Sequence, residues 1–339
     1  MDIPTTMQGL VLLHDGYSTA PATQELDDLS PFVAFREMDV PQPGPGFALI
    51  KVARAAVNPS DIAFIKGVYG QARVAGHAAG FEGTGTVVAG DTPLLGQRVS
   101  FFAAGSGSWA DYCLAPIQML IPLRPDLRDE DAAGLIVNPL TAVAMFDIVR
   151  EDGADSFVVT AAASQLGKFL MGLGKDHGIG ALAVIRRGGQ TDTLRELGAA
   201  DVLVTEGDGL AARIAALFES HAPRVLLDAV GDQISADLFF AMPERARWIS
   251  YGRLAPKPPV LTQLPQFIFK QKRIEGFWLA AWLRETAPEK IGAVIQEVQA
   301  RFAEGKWHTD VTASLPLGDV MEALPAAYAE KDSKVLIQP

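Results

Sequence analysis

The chain has 339 residues, 49% of them hydrophobic and 20% charged, with a formal net charge of −11 and a single cysteine, Cys113. That length accommodates two domains, and the acidic balance argues against a nucleic-acid partner, which would want a basic face. One thiol excludes an intrachain disulfide and a four-cysteine structural zinc site, and it fits a reducing, cytoplasmic setting.

Met1 to Gly9 lacks a basic n-region and an apolar h-region, so no signal peptide is expected. No uninterrupted apolar run approaches the roughly 18 residues that span a bilayer, so no membrane partner is expected. MQGLVLL (7–13) reads as a first strand, and the polar segment from Asp15 to Pro31 as a surface loop. A rigid turn, Pro41 to Gly46, precedes a strand from Phe47 to Ala56, whose imperfect alternation suits burial on both faces. Asn58-Pro59 stops it, Ser60 or Asp61 caps a short helix, Gly67 ends that helix, and Tyr69 is left on a loop. Gly80 to Val88 enters a further strand through glycines, and Val99 to Phe102 is another. After a glycine turn at Gly105 to Gly107, Ser108 to Leu114 follows as a strand. A compact β-rich domain thus takes the first 125 residues, with a boundary at Arg124-Pro125-Asp126.

Asp129 to Ile148 reads as helix in two pieces, broken at Asn138-Pro139. The stretch Phe157 to Arg187 organises the second domain. Apolar Phe157-Val158-Val159 leads into a small-residue turn, Thr160 to Gly167, then a helix from Lys168 to His177, which Gly178 closes in a left-handed cap. Ala181 to Ile185 is the second strand. Strand, tight turn, helix and strand make a βαβ unit. Its turn offers backbone N–H groups at a helix N-terminus, where they and the helix dipole stabilise a pyrophosphate. The turn departs from G-x-G-x-x-G. Gly167 alone stands where close helix–strand packing wants it, with Ala162 and Ser164 or Gln165 in place of the earlier glycines. Dinucleotide binding and an ordinary turn both remain open. Where NAD-selective folds carry an acid for the ribose 2′-hydroxyl, this chain has Arg186 and Arg187, then Gly188-Gly189. Two guanidinium groups suit a 2′-phosphate and favour NADPH over NADH; a solvated basic strand end is the alternative.

Leu194 to Leu197 close a helix at Gly198, and Asp201 to Val204 form a third strand. Leu210 to Phe218 is a helix, Val225 to Gly231 a fourth strand, Trp248 to Gly252 a fifth, and Gln266 to Leu283 supplies a sixth. Converging strand ends are where open α/β sheets bind ligands. Pro288 to Glu304 is an amphipathic helix, and short strands and a helix at the C-terminus return to the first domain.

In that order the chain resembles, end to end, the medium-chain dehydrogenase/reductase superfamily. AAVNPSDIAFIKGVYG (55–70), Gly80-Phe81-Glu82-Gly83, Val137-Asn138-Pro139-Leu140-Thr141-Ala142, Ser250-Tyr251-Gly252 and Gly276-Phe277-Trp278-Leu279 carry the likeness further. They resemble the zinc-independent quinone oxidoreductase and mitochondrial-type trans-2-enoyl thioester reductase branches. The resemblance implies an α/β protein: a GroES-like β-rich catalytic domain (residues 1–125 and 285–339) and a Rossmann domain with a doubly wound parallel sheet (126–284). Zinc alcohol dehydrogenases have Cys where this chain has Asn58 and His where it has Phe81, both poor zinc ligands. His77, four residues before Phe81, reads as an exposed loop histidine. No zinc is therefore expected, and no Lewis-acid alcohol oxidation.

The implied chemistry is hydride transfer from NADPH to the β-carbon of an α,β-unsaturated carbonyl, with a proton to the α-carbon. Tyr69 is the implied proton donor or enolate stabiliser, since a phenol is protonated and able to donate at neutral pH; from the residues alone, a loop tyrosine packing on the domain edge fits too. Asn58 orients the carbonyl or the cofactor ribose, or simply closes an Asx-type turn. The resemblance sets Thr141 by the nicotinamide and Ala162, Ser164, Gln165, Leu166 and Gly167 at the diphosphate. It sets Tyr251 and Gly252 by the adenosine side or diphosphate, Phe277, Trp278 and Leu279 beside the carboxamide, and Lys334 near the 2′-phosphate. The aromatic run 277–282 also suits a core or a homodimer interface. The substrate is a small molecule or thioester. A quinone or alkenal is the alternative, and a cofactor-binding protein without turnover a third reading. Lys270, Lys272 and Arg273 form either a basic patch for an acidic carrier or a solvated strand edge.

Overall fold

The computed structural model describes residues 3–19, 25–103, 107–329 and 333–339. It divides into two compact units, residues 1–138 with 295–339, and residues 139–294.

The first unit begins with an antiparallel pair, β1 (Thr6–Leu12) and β2 (Val33–Asp39), in which Leu12 faces Val33. β2 has no counterpart among the sequence expectations: beyond Val33 its side chains are partly or fully exposed, so it carries no buried stripe to read. Between these strands the expected surface loop is anchored, because Leu26 and Leu29 are buried in the core; its residues 20–24 lie outside the described residues. β3 (Phe47–Val57), α1 (Pro59–Ile65), β4 (Glu82–Ala89), β5 (Arg98–Phe102), β6 (Tyr112–Pro116) and β7 (Leu120–Pro122) follow. The glycine turn expected at Gly105 to Gly107 falls largely outside the described residues, which omit 104–106. Asn58, rather than Ser60 or Asp61, is the N-cap of α1, and Pro59 follows it with φ already suited to a helix.

Next come α2 (Asp129–Ala133) and α3 (Val137–Asp152). The break lies at residues 134–136 and not at Asn138-Pro139, because proline needs no N–H partner in a first helical turn. The division between units falls after Asn138, not at Pro125. The cause is α2, which packs on β3 and β4 and lodges the Asp131 carboxylate on the Thr309 N–H at 2.9 Å.

The second unit is a six-stranded parallel sheet. Its elements are β8 (Ser156–Thr160), α4 (Gln165–His177), β9 (Gly180–Ile185), α5 (Thr191–Leu197), β10 (Ala199–Val204), α6 (Leu210–His221), β11 (Val225–Asp228), α7 (Gln233–Ala241), β12 (Arg247–Ser250), α8 (Pro265–Phe269), β13 (Arg273–Gly276) and α9 (Leu279–Glu285). The strand order β10-β9-β8-β11-β12-β13 is that of a doubly wound dinucleotide fold, with the order reversing beside β8. Val158, Leu182, Leu226, Phe239 and Trp248 fill its core. Gly178 and Gly198 close α4 and α5 at φ of 66° and 115°, as expected of left-handed caps. The sixth strand is much shorter than Gln266 to Leu283: only Arg273–Gly276 extends, between two short helices. α7 was not foreseen, although Asp232, which accepts from the Ser235 N–H at 2.9 Å, is a cap signal.

The chain leaves this unit within α10 (Pro288–Ala303), at 294/295 rather than 284/285. It re-enters the first unit as β14 (Val311–Pro316), α11 (Val320–Ala329) and β15 (Lys334–Gln338). The sheet order is β14-β15-β3-β4-β5-β7, with β6 also on β3. β15 runs antiparallel to β3 with Val335 opposite Val57. That register sets Lys334 beside Asn58.

Candidate functional site

Lys334 and Asn58 meet in a buried polar cluster of the first unit. Asn58 Nδ2 donates to Glu82 Oε1 at 2.8 Å, and the Lys334 ammonium donates to Asn58 Oδ1. The other carboxylate oxygen of Glu82 accepts from the backbone N–H of Ile136 at 3.0 Å and of Val137 at 2.8 Å. Asp61 takes the N–H groups of Asn58 and Phe81 at 2.7 and 2.8 Å. An ammonium can face only an acceptor and a carboxylate here only a donor, so the Asn58 amide has one orientation. Burial pushes the Asp61 carboxyl up to about 7, and the Glu82 charge adds to the rise against two backbone hydrogen bonds. Burial also raises Glu82, with Lys334 pulling it back, and lowers Lys334, with Glu82 and Asp61 pulling it back.

This placement corrects the role expected of Lys334. At 4% exposure, with its ammonium engaged by Asn58, it is not a cation held out for a 2′-phosphate. A zinc ion fits poorly too. Both ends of the Asn58 amide are committed and Phe81 offers only carbon. Among the described residues no group of three or more His, Cys, Asp or Glu side chains is arranged to hold a metal, and His77 is an exposed loop residue.

Tyr69 lies half-buried on the loop after α1. Its ring centroid is 5.2 Å from that of Phe81, which contacts Phe64 at 4.9 Å and stacks on Phe102 at 5.9 Å. The Tyr69 ring thus packs, tilted, on an aromatic bed.

In the second unit the turn after β8 ends in a capped helix. The Ser164 hydroxyl accepts from the Gly167 N–H at 3.2 Å, so α4 starts at Gln165, three residues before the expected Lys168. A Cβ at Gly167 would come within 2.3 Å of the Ala162 carbonyl oxygen, so only glycine fits. Ala162, Gln165 and Leu166 are buried around this tight junction. A small-residue turn opening a helix fits a diphosphate.

Asp228, which sequence reasoning placed on a strand without giving it a role, ties the strand ends together. Fully buried, it accepts from Thr160 Oγ1 at 2.6 Å, Ser235 Oγ at 2.9 Å, Trp248 Nε1 at 2.9 Å and the N–H groups of Val230 and Gly231 at 3.0 Å each. The signal was available: one acid ends an otherwise apolar strand, Val225-Leu226-Leu227-Asp228. Beyond β12 the Tyr251 hydroxyl is buried and has no partner among the described residues, and burial beside the Asp228 charge holds the phenol protonated. An orphaned hydroxyl at a strand's C-terminal end is what a bound nucleotide would satisfy. Gly252 next to it would bring a Cβ within 2.8 Å of the Ala229 carbonyl.

At the end of β9, Arg186 is 71% exposed in its side chain and 3.7 Å from Glu206, and Arg187 is exposed. Thr141 is buried in α3. The Phe277 N–H donates to the Ser250 carbonyl at 2.9 Å, Trp278 precedes α9 under the Arg284 guanidinium, and Leu279 is buried. The basic patch is corrected: Lys272 is buried, and its ammonium caps α7 by donating to the carbonyls of Phe239, Phe240 and Met242 at 2.7–3.0 Å.

A β-rich unit with a locked amide–carboxylate–ammonium cluster, and a doubly wound unit whose small-residue turn opens a helix, form the architecture of dinucleotide-dependent oxidoreductases. The alcohol dehydrogenase GroES-like domain family matches residues 44–125. A protein from Mesorhizobium loti, to which NADPH:quinone reductase activity is ascribed, has a solved structure that superposes with a TM-score of 0.96; it is 46% identical, with all of both chains covered. The mitochondrial enoyl-[acyl-carrier-protein] reductase of Bos taurus is 28% identical over 96% of this chain and 86% of its own. Etr1p, a mitochondrial 2-enoyl thioester reductase from Candida tropicalis solved with NADP and crotonyl-CoA, shares the fold at 22% identity and a TM-score of 0.79, over 98% of this chain and 100% of that one. The chain belongs to the medium-chain dehydrogenase/reductase superfamily, in its zinc-independent branch of NADPH-dependent oxidoreductases.

Proposed function

We propose that this protein reduces activated C=C bonds at the expense of NADPH, with 2-enoyl thioesters as its substrate class. The observation that carries the reading is Tyr69, a phenol presented on the ring of Phe81, whose backbone N–H is held by Asp61. NADPH, when bound, supplies the hydride that forms the new C–H bond at the β-carbon. The π electrons of the C=C bond then move toward the carbonyl, and the Tyr69 hydroxyl gives its proton to the α-carbon or holds the enolate oxygen. Solvent restores the phenol. Asn58, its amide held between Glu82 and Lys334, orients the substrate carbonyl or a ribose hydroxyl through the cluster it anchors. Arg186 and Arg187 select the 2′-phosphate, and the Tyr251 hydroxyl takes the adenosine side or diphosphate. The names of the Bos taurus and Candida tropicalis relatives support this reading.

Quinone or alkenal reduction is the second reading, favoured by the activity ascribed to the Mesorhizobium loti relative. The two part at the proton, since a quinone needs no phenol placed at an α-carbon. With Tyr69→Phe, NADPH oxidation by a crotonyl thioester falls by about 10²- to 10⁴-fold, while turnover of a simple quinone holds. Quinone turnover alone, indifferent to the substitution, would make this a quinone reductase and Tyr69 a packing residue. The assembly we infer is a homodimer through β13, an edge strand with Ile274, Ile268 and Phe269 exposed nearby. The lone thiol, buried Cys113, supports a cytoplasmic setting.

A further inference from the structure

The loop that presents Tyr69 is held from inside by an arginine. Between Gly70 and His77 the one buried side chain is Arg73, at 6% exposure. Arginine is rarely buried unless something specific engages it. Here its Nε donates to the Gly16 carbonyl at 3.1 Å and its Nη1 to the Ile65 carbonyl at 3.0 Å, the last residue of α1. The planar fork thus spans the N-terminal segment and the helix end that launches the loop. Gly67 lies against it: a Cβ there would come within 2.5 Å of the guanidinium carbon, and φ is +73°. Backbone bonds close the arch, from Ser18 N–H to the Gly67 carbonyl at 2.8 Å and from Gly16 N–H to the Arg73 carbonyl at 2.9 Å. Tyr69 sits two residues beyond Gly67 on this arch. No other charged side chain is buried in it.

We infer that Arg73 is a positioning residue for Tyr69: its guanidinium fixes the arch that sets the phenol against Phe81, and so governs proton delivery to the substrate. The inference rests on the proposed role of Tyr69 and deepens it. Arg73→Lys keeps the charge but loses the fork, so one ammonium must choose between the two carbonyls. Misplacing a reacting group by about 1 Å costs on the order of 10²-fold in rate.

The experiment compares wild type, Arg73→Lys, Tyr69→Phe and the double variant, with crotonyl thioester and with a simple quinone. The expected result for Arg73→Lys is a fall in thioester kcat of about 10²-fold, with the KM for NADPH and quinone turnover unchanged. The double variant loses nothing beyond Tyr69→Phe alone, because the proton donor is already gone. Should Arg73→Lys fail to fold, Gly67→Ala displaces the guanidinium without removing it and carries the same expectation. A normal thioester kcat in the arginine variant overturns the inference while leaving Tyr69 in its role. So does an equal loss for thioester and quinone, or additive losses in the double variant. Thioester turnover untouched by Tyr69→Phe overturns the functional reading and the inference with it.

Discussion

In the first unit a cation, Lys334, is buried at 4% exposure among Asn58, Glu82 and Asp61. In the second, Arg186 stands 71% exposed, 3.7 Å from Glu206. The two cations are held in opposite ways. The buried cluster has exchanged water for fixed partners, so its geometry is set before any ligand arrives and its charges act at low dielectric. The exposed arginines keep their water, are screened by salt, and reorganise around what they meet. Positioning at a reacting centre wants the first arrangement; telling a phosphate from a hydroxyl needs only the second.

The largest expected effect comes from removing the buried cation. Lys334→Met leaves Glu82 and Asp61 without their counter-charge and the Asn58 oxygen without its donor. Breaking a buried pair of this kind costs about 3–5 kcal/mol. Urea unfolding of the variant beside wild type reads it as a lower midpoint with an unchanged slope. A loss under about 1 kcal/mol, the range of an exposed pair, would erase the contrast between the two regions.

A smaller effect tests whether Asp61 is desolvated as its burial indicates. Its carboxyl is raised from 3.8 to about 7 in the folded protein. Between those values the native state holds a proton that the unfolded chain has released, so stability falls as pH rises. The contribution of Asp61 is thus full below about pH 4 and lost as pH climbs through about 7. Asp61→Asn cannot titrate. Stability of wild type relative to this variant should therefore decline from pH 4 to pH 7, by about 2–4 kcal/mol, because each tenfold difference in proton affinity between folded and unfolded chain is worth about 1.4 kcal/mol. The variant itself starts out weaker, because an amide NH₂ faces one of the two backbone N–H groups that the carboxylate accepts. Parallel curves would show that Asp61 stays ionised in the fold.

The contrast also marks what the sequence could disclose. The βαβ unit and its glycine stops were legible because they are local: apolar runs, one obligatory glycine at Gly167, and left-handed caps at Gly178 and Gly198. Lys334 was not, because its burial follows from β15 pairing with β3 across 276 residues, and nothing around it in the sequence announces an antiparallel partner. Lys272 misled for the same reason: its company of Lys270 and Arg273 reads as surface, while its ammonium closes the C-terminus of a helix 30 residues earlier. Arg73 gave no sign either, for only the return of Gly16 to the loop gives its fork two carbonyls to span. Polar residues whose partners are distant in sequence are invisible to periodicity, and here two of them, Lys334 and Arg73, lie against Asn58 and the loop that carries Tyr69.

The smallest effect belongs to the exposed strand end. Replacing both Arg186 and Arg187 by Ser removes no buried contact, so stability should change by less than about 0.5 kcal/mol. The effect appears instead in the ligand: hydrogen bonds to a charged group are worth about 1.5–3 kcal/mol, so the KM for NADPH should rise by about 10- to 100-fold while that for NADH stays put. Raising salt should weaken NADPH binding in wild type and much less in the variant. Glu206→Gln is the converse probe. It removes the carboxylate now 3.7 Å from Arg186 and frees that guanidinium for the 2′-phosphate, so NADPH should bind more tightly. If neither change moves the preference for NADPH, the two arginines are a solvated strand end, Arg186 facing Glu206, and the discrimination must come from side chains that, like Lys334, are fixed inside the fold.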